Sequence, residues 1–177
     1  MASEISASPT ASPLDWRAMT TEDLNGVVEV ARLSFPDHFE GYDCFEERLR
    51  LAPEGCFVLS STEGDIRGYL VAYPFRRHAA PPLNSLIGQI PEGPETIYLH
   101  DLALHPETRG GGHTRAVVER LAEQSKAAGW SLISLVAVNN AADFWGRMGF
   151  VAQTPPGMAE KLATYGEDAR YMERPLV

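Results

Sequence analysis

The chain has 177 residues, a formal net charge of −9 with histidine neutral, and a pI near 5.0. This length suits one domain with a core of ordinary size, and the acidic balance argues against nucleic-acid binding, which needs clusters of Lys and Arg facing the phosphates. An acidic surface favours a cationic substrate, although solubility alone also accounts for such a charge.

The first fifteen residues contain Ser, Ala and Pro without a basic start or an apolar run. They predict a disordered tail over 1–15, neither signal peptide nor membrane span, and a single domain over 16–177. Cys44 and Cys56 form no CxxC pair and have no histidine at a ligand spacing, so we expect buried, reduced thiols and no metal site. The sequence does not decide whether Cys44 and Cys56 form a disulfide. Cysteine usage of this kind favours a cytoplasmic protein.

Two helices and then an antiparallel strand pair are predicted between residues 20 and 75. The helices begin at short capping pairs and carry apolar faces at helical spacing, and a polar turn joins the two strands. The first helix begins at the capping pair Thr20 and Asp23, has the apolar face Leu24, Val27, Val28 and Ala31, and ends at Phe35-Pro36. The second begins at Asp43 and Glu46 and has the apolar residues Phe45, Leu49 and Leu51. The two strands are predicted over 57–61 and 66–75.

Residues 76–95 are rich in Pro and Gly and show no clean period. Loops of this length within a compact domain are uncommon and often form lids or binding loops. Because the segment leads into the next strand, we expect it to form part of a substrate pocket, with Phe75 and Leu83 as walls. A disordered connector is the alternative.

Residues 97–118 run from a strand through three glycines into a helix. Strand alternation places Tyr98, His100, Leu102 and Leu104 on one face, opposite Leu99, Asp101 and Ala103. Each glycine in a first helical turn lowers helix stability by roughly 1 kcal/mol relative to alanine. Three glycines at 110–112 therefore indicate that backbone amides without side chains bind an anion at the helix N-terminus, beside Arg109. A loop tip is the alternative. A Walker loop and a dinucleotide fingerprint are both excluded by spacing, since no Gly-Lys-Ser/Thr exists and Arg115 replaces the third glycine.

A strand over 131–138 follows, and then the segment Asn139–Phe150. Together with Arg109–Thr114, this order resembles the GNAT superfamily of N-acetyltransferases, over roughly residues 20–176. Arg109 and Gly112 match the first and fourth positions of the family's pyrophosphate signature, while Thr114 replaces a small residue at the last. Five residues match the family's later Ala-x-x-Phe-Tyr helix and its Gly-Phe ending, with tryptophan in place of tyrosine: Ala141, Phe144, Trp145, Gly149 and Phe150.

The resemblance implies an α/β (α+β) GNAT fold, with a mixed, mostly antiparallel sheet of six to seven strands and about four helices, splayed at the central parallel pair. It also implies acetyl-CoA as cosubstrate. By position, the residues expected to touch it are the main chain of Leu102, Ala103 and Leu104, the turn Arg109, Gly110, Gly111, Gly112, His113 and Thr114, and Asn140, Phe144 and Trp145.

An acetyltransferase must deprotonate the amine, polarise the carbonyl and let a thiolate leave. The resemblance places the Leu102 amide at the oxyanion and makes His100 the expected base, directly or through one water, with Tyr98 lining the pocket or relaying protons. The alternatives are that His100 is a hydrogen-bonded core histidine and that Tyr98 is an aromatic residue of the core. Asp101 is predicted to face away. Because Trp145 replaces the usual tyrosine, the thiolate takes its proton from water or from another hydroxyl such as Tyr171, or else the chemistry relies on proximity.

The strand Tyr98–His105 is similar to arylalkylamine-type enzymes, so the leading function is acetyl transfer to a primary amine of a small molecule by direct attack in a ternary complex. Protein acetylation at an N-terminus or lysine, and a non-catalytic acyl-CoA-binding module, are the alternatives. A homodimer is possible, whereas no nucleic acid, membrane or metal is expected.

Overall fold

A computed structural model describes residues 12–177. Within these residues, seven strands form one sheet in the order β1-β2-β3-β4-β5-β7-β6, in which only β4 and β5 are parallel neighbours. This confirms the predicted mixed, mostly antiparallel sheet. The strands are β1 Leu14–Ala18, β2 Cys56–Ser61, β3 Ile66–Phe75, β4 Thr96–Leu104, β5 Leu132–Ala137, β6 Val151–Gln153 and β7 Arg170–Pro175.

In the described part of the chain five α-helices accompany the sheet, against about four predicted, and two of them have only five residues. They are α1 Leu24–Ser34, α2 Tyr42–Leu51, α3 His113–Ala127, α4 Ala142–Gly146 and α5 Ala159–Ala163. The capping pair of Thr20 and Asp23 is present immediately before α1. Among the described helices, none is long and apolar enough to cross a membrane.

The apolar core forms two layers, one on each face of the sheet. The first layer joins α1 and α2 to β3 through residues such as Leu24, Phe45 and Tyr69. The second joins α3 and α4 to the sheet through residues such as Leu121 and Trp145. Val28, which was predicted on the apolar face of α1, is only partly buried, and Val30 on the same helix is buried. Both cysteines are buried free thiols, as predicted.

The first strand corrects the predicted boundary of the N-terminal tail. β1 begins at Leu14, so Leu14 and Asp15, assigned to the tail, belong to the sheet. β1 pairs with β2 in antiparallel register, with Trp16 opposite Leu59. The remainder of the predicted tail falls largely on residues 1–11, which lie outside the described residues.

The two central strands diverge, as the resemblance implied. β4 and β5 pair only through Ile97 with Ile133 and Tyr98 with Ser134. Beyond Tyr98, β4 stays paired with β3 on its other side and leaves its β5 edge open. The unpaired edge of β4 forms one side of a cleft.

A β-bulge in β4 changes the direction of its side chains. Asp101 pairs with Val71 and Leu99 pairs with Ala72, which leaves His100 as an extra residue without a partner on β3. A bulge interrupts the alternation of faces. Asp101 therefore lies with His100 over the first core layer, and Leu102 packs against the second layer. The predictions that His100 and Leu102 share a face and that Asp101 faces away are both wrong.

Candidate active site

The cleft between β4 and β5 contains a cavity of about 400 Å³. Its walls come from the unpaired half of β4, the end of β5, the helix α4 and the loop between α1 and α2. The residues that line it include Phe35, His38, Glu40, Leu83, Tyr98, His100, Asp101, Leu102, Ala103, Leu104, Arg109, Gly110, Thr114, Val138, Asn139, Phe144, Trp145 and Tyr165. The cavity therefore reaches from the glycine turn to the two residues at the bulge.

The glycine turn requires glycine at two of its three positions. Gly110 has φ +88° and Gly112 has φ +77°, in the left-handed region that other residues disfavour. A Cβ on either would meet no atom within 4 Å, so the turn borders open space. Gly112 caps the N-terminus of α3, whose first amides have no partner within the helix. The turn thus presents backbone donors to open space at the positive end of a fifteen-residue helix.

A second cavity of about 220 Å³ adjoins this turn. It is lined by Gly110, Gly112, His113 and Thr114, together with Arg115 and Arg147, neither of which was predicted to touch a cofactor. Within the described residues, no side chain hydrogen-bonds to the guanidinium of Arg109. The region therefore combines free amides with positive charge, which suits a phosphorylated ligand.

Most of the residues predicted to touch a cofactor lie together, and two do not. Gly111 and Asn140 line neither cavity, whereas Asn139 lines the larger one. Asn139 and Asn140 have φ of +54° and +58°, and the Asn140 amide donates to Asp168. Two successive left-handed residues are not evident from a strand-to-helix pattern, which is why the sequence indicated Asn140 where the structure has Asn139 at the cavity.

The aromatic residues of α4 form the wall opposite β4. Trp145 and Phe144 both line the cavity, with ring centroids 5.2 Å apart in an edge arrangement. Trp145 also packs edge-on against Phe150 at 5.5 Å. The tryptophan that replaces the family's tyrosine therefore contributes an apolar wall to this cavity.

Both ring nitrogens of His100 are engaged in hydrogen bonds. Nε2 bonds to the carboxylate of Glu40, and Nδ1 lies 3.0 Å from the hydroxyl of Tyr73. The side chains of His100 and Glu40 are 4% and 6% exposed, so the pair is shielded from solvent. His100 lies in the cavity as predicted, but without a free nitrogen.

Glu40 is a site residue that sequence reasoning missed. It lies in the loop between α1 and α2, and its second oxygen accepts from the Asn84 amide. Burial raises the pKa of Glu40, but the charge and hydrogen bond of His100 and the positive Arg48 outweigh burial and hold that pKa below its ordinary value. An isolated glutamate in a loop carries no periodic signal that links it to a strand sixty residues away.

Asp101 is held by a phenol of the neighbouring strand. The hydroxyl of Tyr69, a fully buried residue on β3, donates to Oδ2 of Asp101 at 2.6 Å. Burial raises the pKa of Asp101 to about 6, against the lowering effects of His100 and of the Tyr69 hydrogen bond. The cavity therefore contains two carboxyls whose pKa values are shifted in opposite directions.

Tyr98 lines the cavity and is almost fully buried. Burial raises its pKa well above the ordinary value, so its hydroxyl remains protonated at neutral pH. Tyr171 does not line the cavity, because its hydroxyl bonds to the His78 amide and to Glu173. The hydroxyl suggested as an alternative acid is thus engaged elsewhere. Tyr165, just after α5, lies in the cavity wall instead.

The 76–95 segment is fixed to α2 by hydrogen bonds. The carboxylate of Glu47 accepts from the amides of Ile87 and Gly88 at 2.7 and 3.0 Å, and Arg48 donates to the Ser85 carbonyl at 2.8 Å. Leu83 lines the cavity, so this part of the segment forms a wall as predicted.

Phe75, the second predicted wall residue, does not line the cavity. Its ring packs instead against Tyr73 and Tyr98, each at 5.8 Å between centroids. Phe75 therefore supports the cavity wall from behind.

Three loops meet at the β-bulge end of the cavity. His38, in the α1–α2 loop, bonds through Nε2 to the Tyr165 carbonyl at 2.8 Å. The Tyr165 hydroxyl in turn donates to the carbonyl of Pro81 in the 76–95 segment. These contacts join the three loops to one another around this end of the site.

Solved structures with the same fold are similar to this chain at low identity. Ard1 from Thermoplasma volcanium is 15% identical, with a TM-score of 0.70 over 93% of this chain and 98% of that chain. The ribosomal-protein-S18-alanine N-acetyltransferase from Escherichia coli is 16% identical, with a TM-score of 0.65 over 93% and 94%. YhbS from Escherichia coli, a GNAT family N-acetyltransferase solved in complex with CoA, is 17% identical, with a TM-score of 0.60 over 97% and 86%.

Comparison with curated protein sequences gives no match. The sequence does match the Acetyltransferase (GNAT) family over residues 18–150, which is about three quarters of the chain. This span contains the glycine turn, the diverging strands and α4. The chain therefore belongs to the GNAT family of acetyltransferases.

Proposed function

We propose that the protein is an acetyl-CoA-dependent N-acetyltransferase that acts on a primary amine of a small molecule, by direct attack in a ternary complex. The observation that carries this proposal is the continuous cavity from the glycine turn to the β-bulge, along the open edge of β4. Several solved relatives contain CoA in their structures. The open space beside Gly110 and Gly112 fits a diphosphate.

In this proposal the main chain of Leu102 to Leu104 runs beside the pantetheine arm, and Arg109 with the 110–114 amides holds the diphosphate. Acetyl-CoA supplies an activated acyl group. The protein brings the amine close to it, which converts a bimolecular reaction into one within a complex. The Leu102 amide is the proposed donor to the carbonyl oxygen, a kind of contact worth about 3–4 kcal/mol in favourable cases.

The loops around the acceptor end support a small amine over a protein. Glu40 and Asp101 provide negative charge, and Phe35, Tyr98 and Leu83 provide apolar walls. Three bonded loops surround these groups, whereas an extended peptide needs an open groove. Protein acetylation is the second candidate, favoured by the structural similarity to Ard1 and to the ribosomal-protein-S18-alanine N-acetyltransferase.

The test is release of CoA thiol from acetyl-CoA across a panel of alkylamines, arylalkylamines, polyamines and short peptides with a free α-amino group. Turnover with a small amine and not with peptides is expected. Turnover confined to peptides would overturn the small-molecule assignment. Saturable acetyl-CoA binding without amine-dependent release would instead indicate a binding module.

Trp145→Ala is expected to raise the KM for acetyl-CoA about tenfold, which corresponds to about 1.4 kcal/mol. The reason is that the indole forms the cavity wall facing β4. Steady-state kinetics with varied acetyl-CoA provide the measurement. Trp145→Phe keeps an aromatic wall and serves as the control, with a smaller rise. An unchanged KM in Trp145→Ala would remove this residue from the cofactor site.

A further inference from the structure

We propose that Asp101 is the catalytic base that takes the proton from the acceptor amine. This inference rests on the proposed function and assigns the group that starts the reaction. It follows from the β-bulge, from the hydrogen bonds of His100 and from the position of Tyr69.

The bulge places Asp101 in the cavity. A regular strand would have directed the side chains of His100 and Asp101 to opposite faces. Because His100 has no partner on β3, Asp101 takes up the register of Val71 and shares its face. Val71 and Tyr69 both belong to the first core layer, and the Tyr69 hydroxyl reaches Oδ2 of Asp101. Tyr69 is the side chain of the described residues that hydrogen-bonds to Asp101, and the Leu102 amide contributes a backbone hydrogen bond that lowers the pKa of this carboxylate.

His100 is a poor candidate for the base because of its partners. A neutral ring donates from Nε2 to Glu40 and accepts at Nδ1 from Tyr73, and a charged ring donates from both nitrogens. In neither state is a ring lone pair free. Burial raises the pKa of Tyr73, so that residue remains a phenol and a donor to the neutral ring.

The cavity contains one further carboxylate and two further histidine nitrogens, and none of these is both unpartnered and open to solvent. The Glu40 oxygens accept from His100 and from the Asn84 amide. His38 donates from Nε2 to the Tyr165 carbonyl, since a carbonyl can only accept, and its Nδ1 is buried without contact to solvent. Asp101 differs from Glu40 in its side-chain partner, which is the neutral Tyr69 phenol and not an imidazole, and in a pKa that is raised where that of Glu40 is lowered.

The proton balance of the step is simple. The acceptor ammonium gives one proton to the Asp101 carboxylate, and its nitrogen lone pair then forms the N–C bond at the thioester carbonyl. The C–S bond breaks, its electron pair leaves on sulfur, and the second proton from nitrogen completes the thiol. Asp101 returns its proton to solvent.

The pH dependence follows from the protonation state of Asp101. The carboxylate form is present above a pKa of about 6, so activity falls as the pH drops through that value. A base is most effective when its pKa lies near the working pH. The charged and titratable groups that face Asp101 are Tyr69 on β3, His100 on β4 and Glu40 from the α1–α2 loop, and those in the same cavity walls are His38, Tyr98, Tyr165 and Arg109.

Two tyrosines of β3 provide a matched pair of variants that tests the assignment. Tyr69 bonds to Asp101 and Tyr73 bonds to His100, and both are buried on the same strand. Removing the Tyr69 hydroxyl takes a hydrogen bond from the carboxylate, so the acid limb of kcat/KM in Tyr69→Phe is expected to move up by about one pH unit. Tyr73→Phe is expected to leave the limb in place.

Asp101→Asn is expected to lower kcat/KM by roughly a hundredfold or more at neutral pH and to abolish the acid limb, while the Kd for acetyl-CoA stays within twofold. A limb that shifts in Tyr73→Phe but not in Tyr69→Phe would assign the base to His100. A limb that survives in Asp101→Asn, or that neither tyrosine variant shifts, would also overturn the proposal.

A measurement without turnover separates this inference from the proposed function. Carbon-13 NMR of labelled aspartate should show a carboxyl that titrates near pH 6 and is missing in Asp101→Asn. If that signal is present but no amine is acetylated, the proposed function fails, whereas the titration of Asp101 near pH 6 is supported. If amines are acetylated and the signal is absent, the base assignment fails alone.

Discussion

Glu47→Ala is expected to lower the free energy of unfolding by about 3–5 kcal/mol, the range for removing one partner of a buried ion pair. Glu47 is buried and lies 3.2 Å from Nη1 of Arg48, whose side chain is 1% exposed. Two further donors of Arg48, Nε and Nη2, already have no partner. Without Glu47 the guanidinium would lose its hydrogen-bonded carboxylate and keep only the charge of Glu40 nearby, and the amides of Ile87 and Gly88 would lose their acceptor.

Urea denaturation followed by tryptophan fluorescence measures this loss. The neighbouring Glu46 is exposed on the same helix, so Glu46→Ala serves as the control and should change stability by no more than about 0.5 kcal/mol. Because Glu47 fixes the segment that carries Leu83, the KM for the amine should also rise in Glu47→Ala under conditions where it remains folded. Equal stability of the two variants would contradict a structural role for the buried pair.

Gly112→Val is expected to weaken acetyl-CoA binding on the order of a hundredfold, which corresponds to about 2.7 kcal/mol. Valine strongly disfavours the left-handed conformation that Gly112 adopts at φ +77°. The start of α3 must then shift, or the valine must extend into the open space beside the amides. Isothermal titration calorimetry with acetyl-CoA gives the affinity.

Gly129→Val is the matched control for this effect. Gly129 also has a left-handed φ, +91°, but follows the other end of α3. Both variants should lose roughly 1–3 kcal/mol of stability through backbone strain, and only Gly112→Val should lose affinity. Tight binding by Gly112→Val would place the diphosphate away from this turn.

The elements around the glycine turn could be predicted because their signals are local. Alternation over 97–104 and helical spacing over 113–127 are properties of single segments, and β4 and α3 both form there. β1 was missed although Leu14, Trp16 and Ala18 alternate with polar residues. Its short sequence is also compatible with an irregular segment, and it becomes a strand because it pairs with β2.

The chemistry of the acceptor end could not be predicted from alternation. The bulge at His100 depends on the register between β3 and β4, which no single segment encodes. The contact of Glu40 with His100 joins a loop to a strand across sixty residues. Both features depend on tertiary packing, and together they are the basis for proposing Asp101 as the base in place of His100.

The two ends of the cavity are formed by different kinds of atoms, backbone at one end and side chain at the other. The end at the glycine turn consists largely of main-chain amides and a helix terminus, whereas the end at the bulge is shaped by side chains from three separate loops. Amides are retained through most substitutions, but loop side chains are not. Homologous sequences can therefore diverge at Phe35, Leu83 and Tyr165 and acquire new acceptors while they keep one acyl donor.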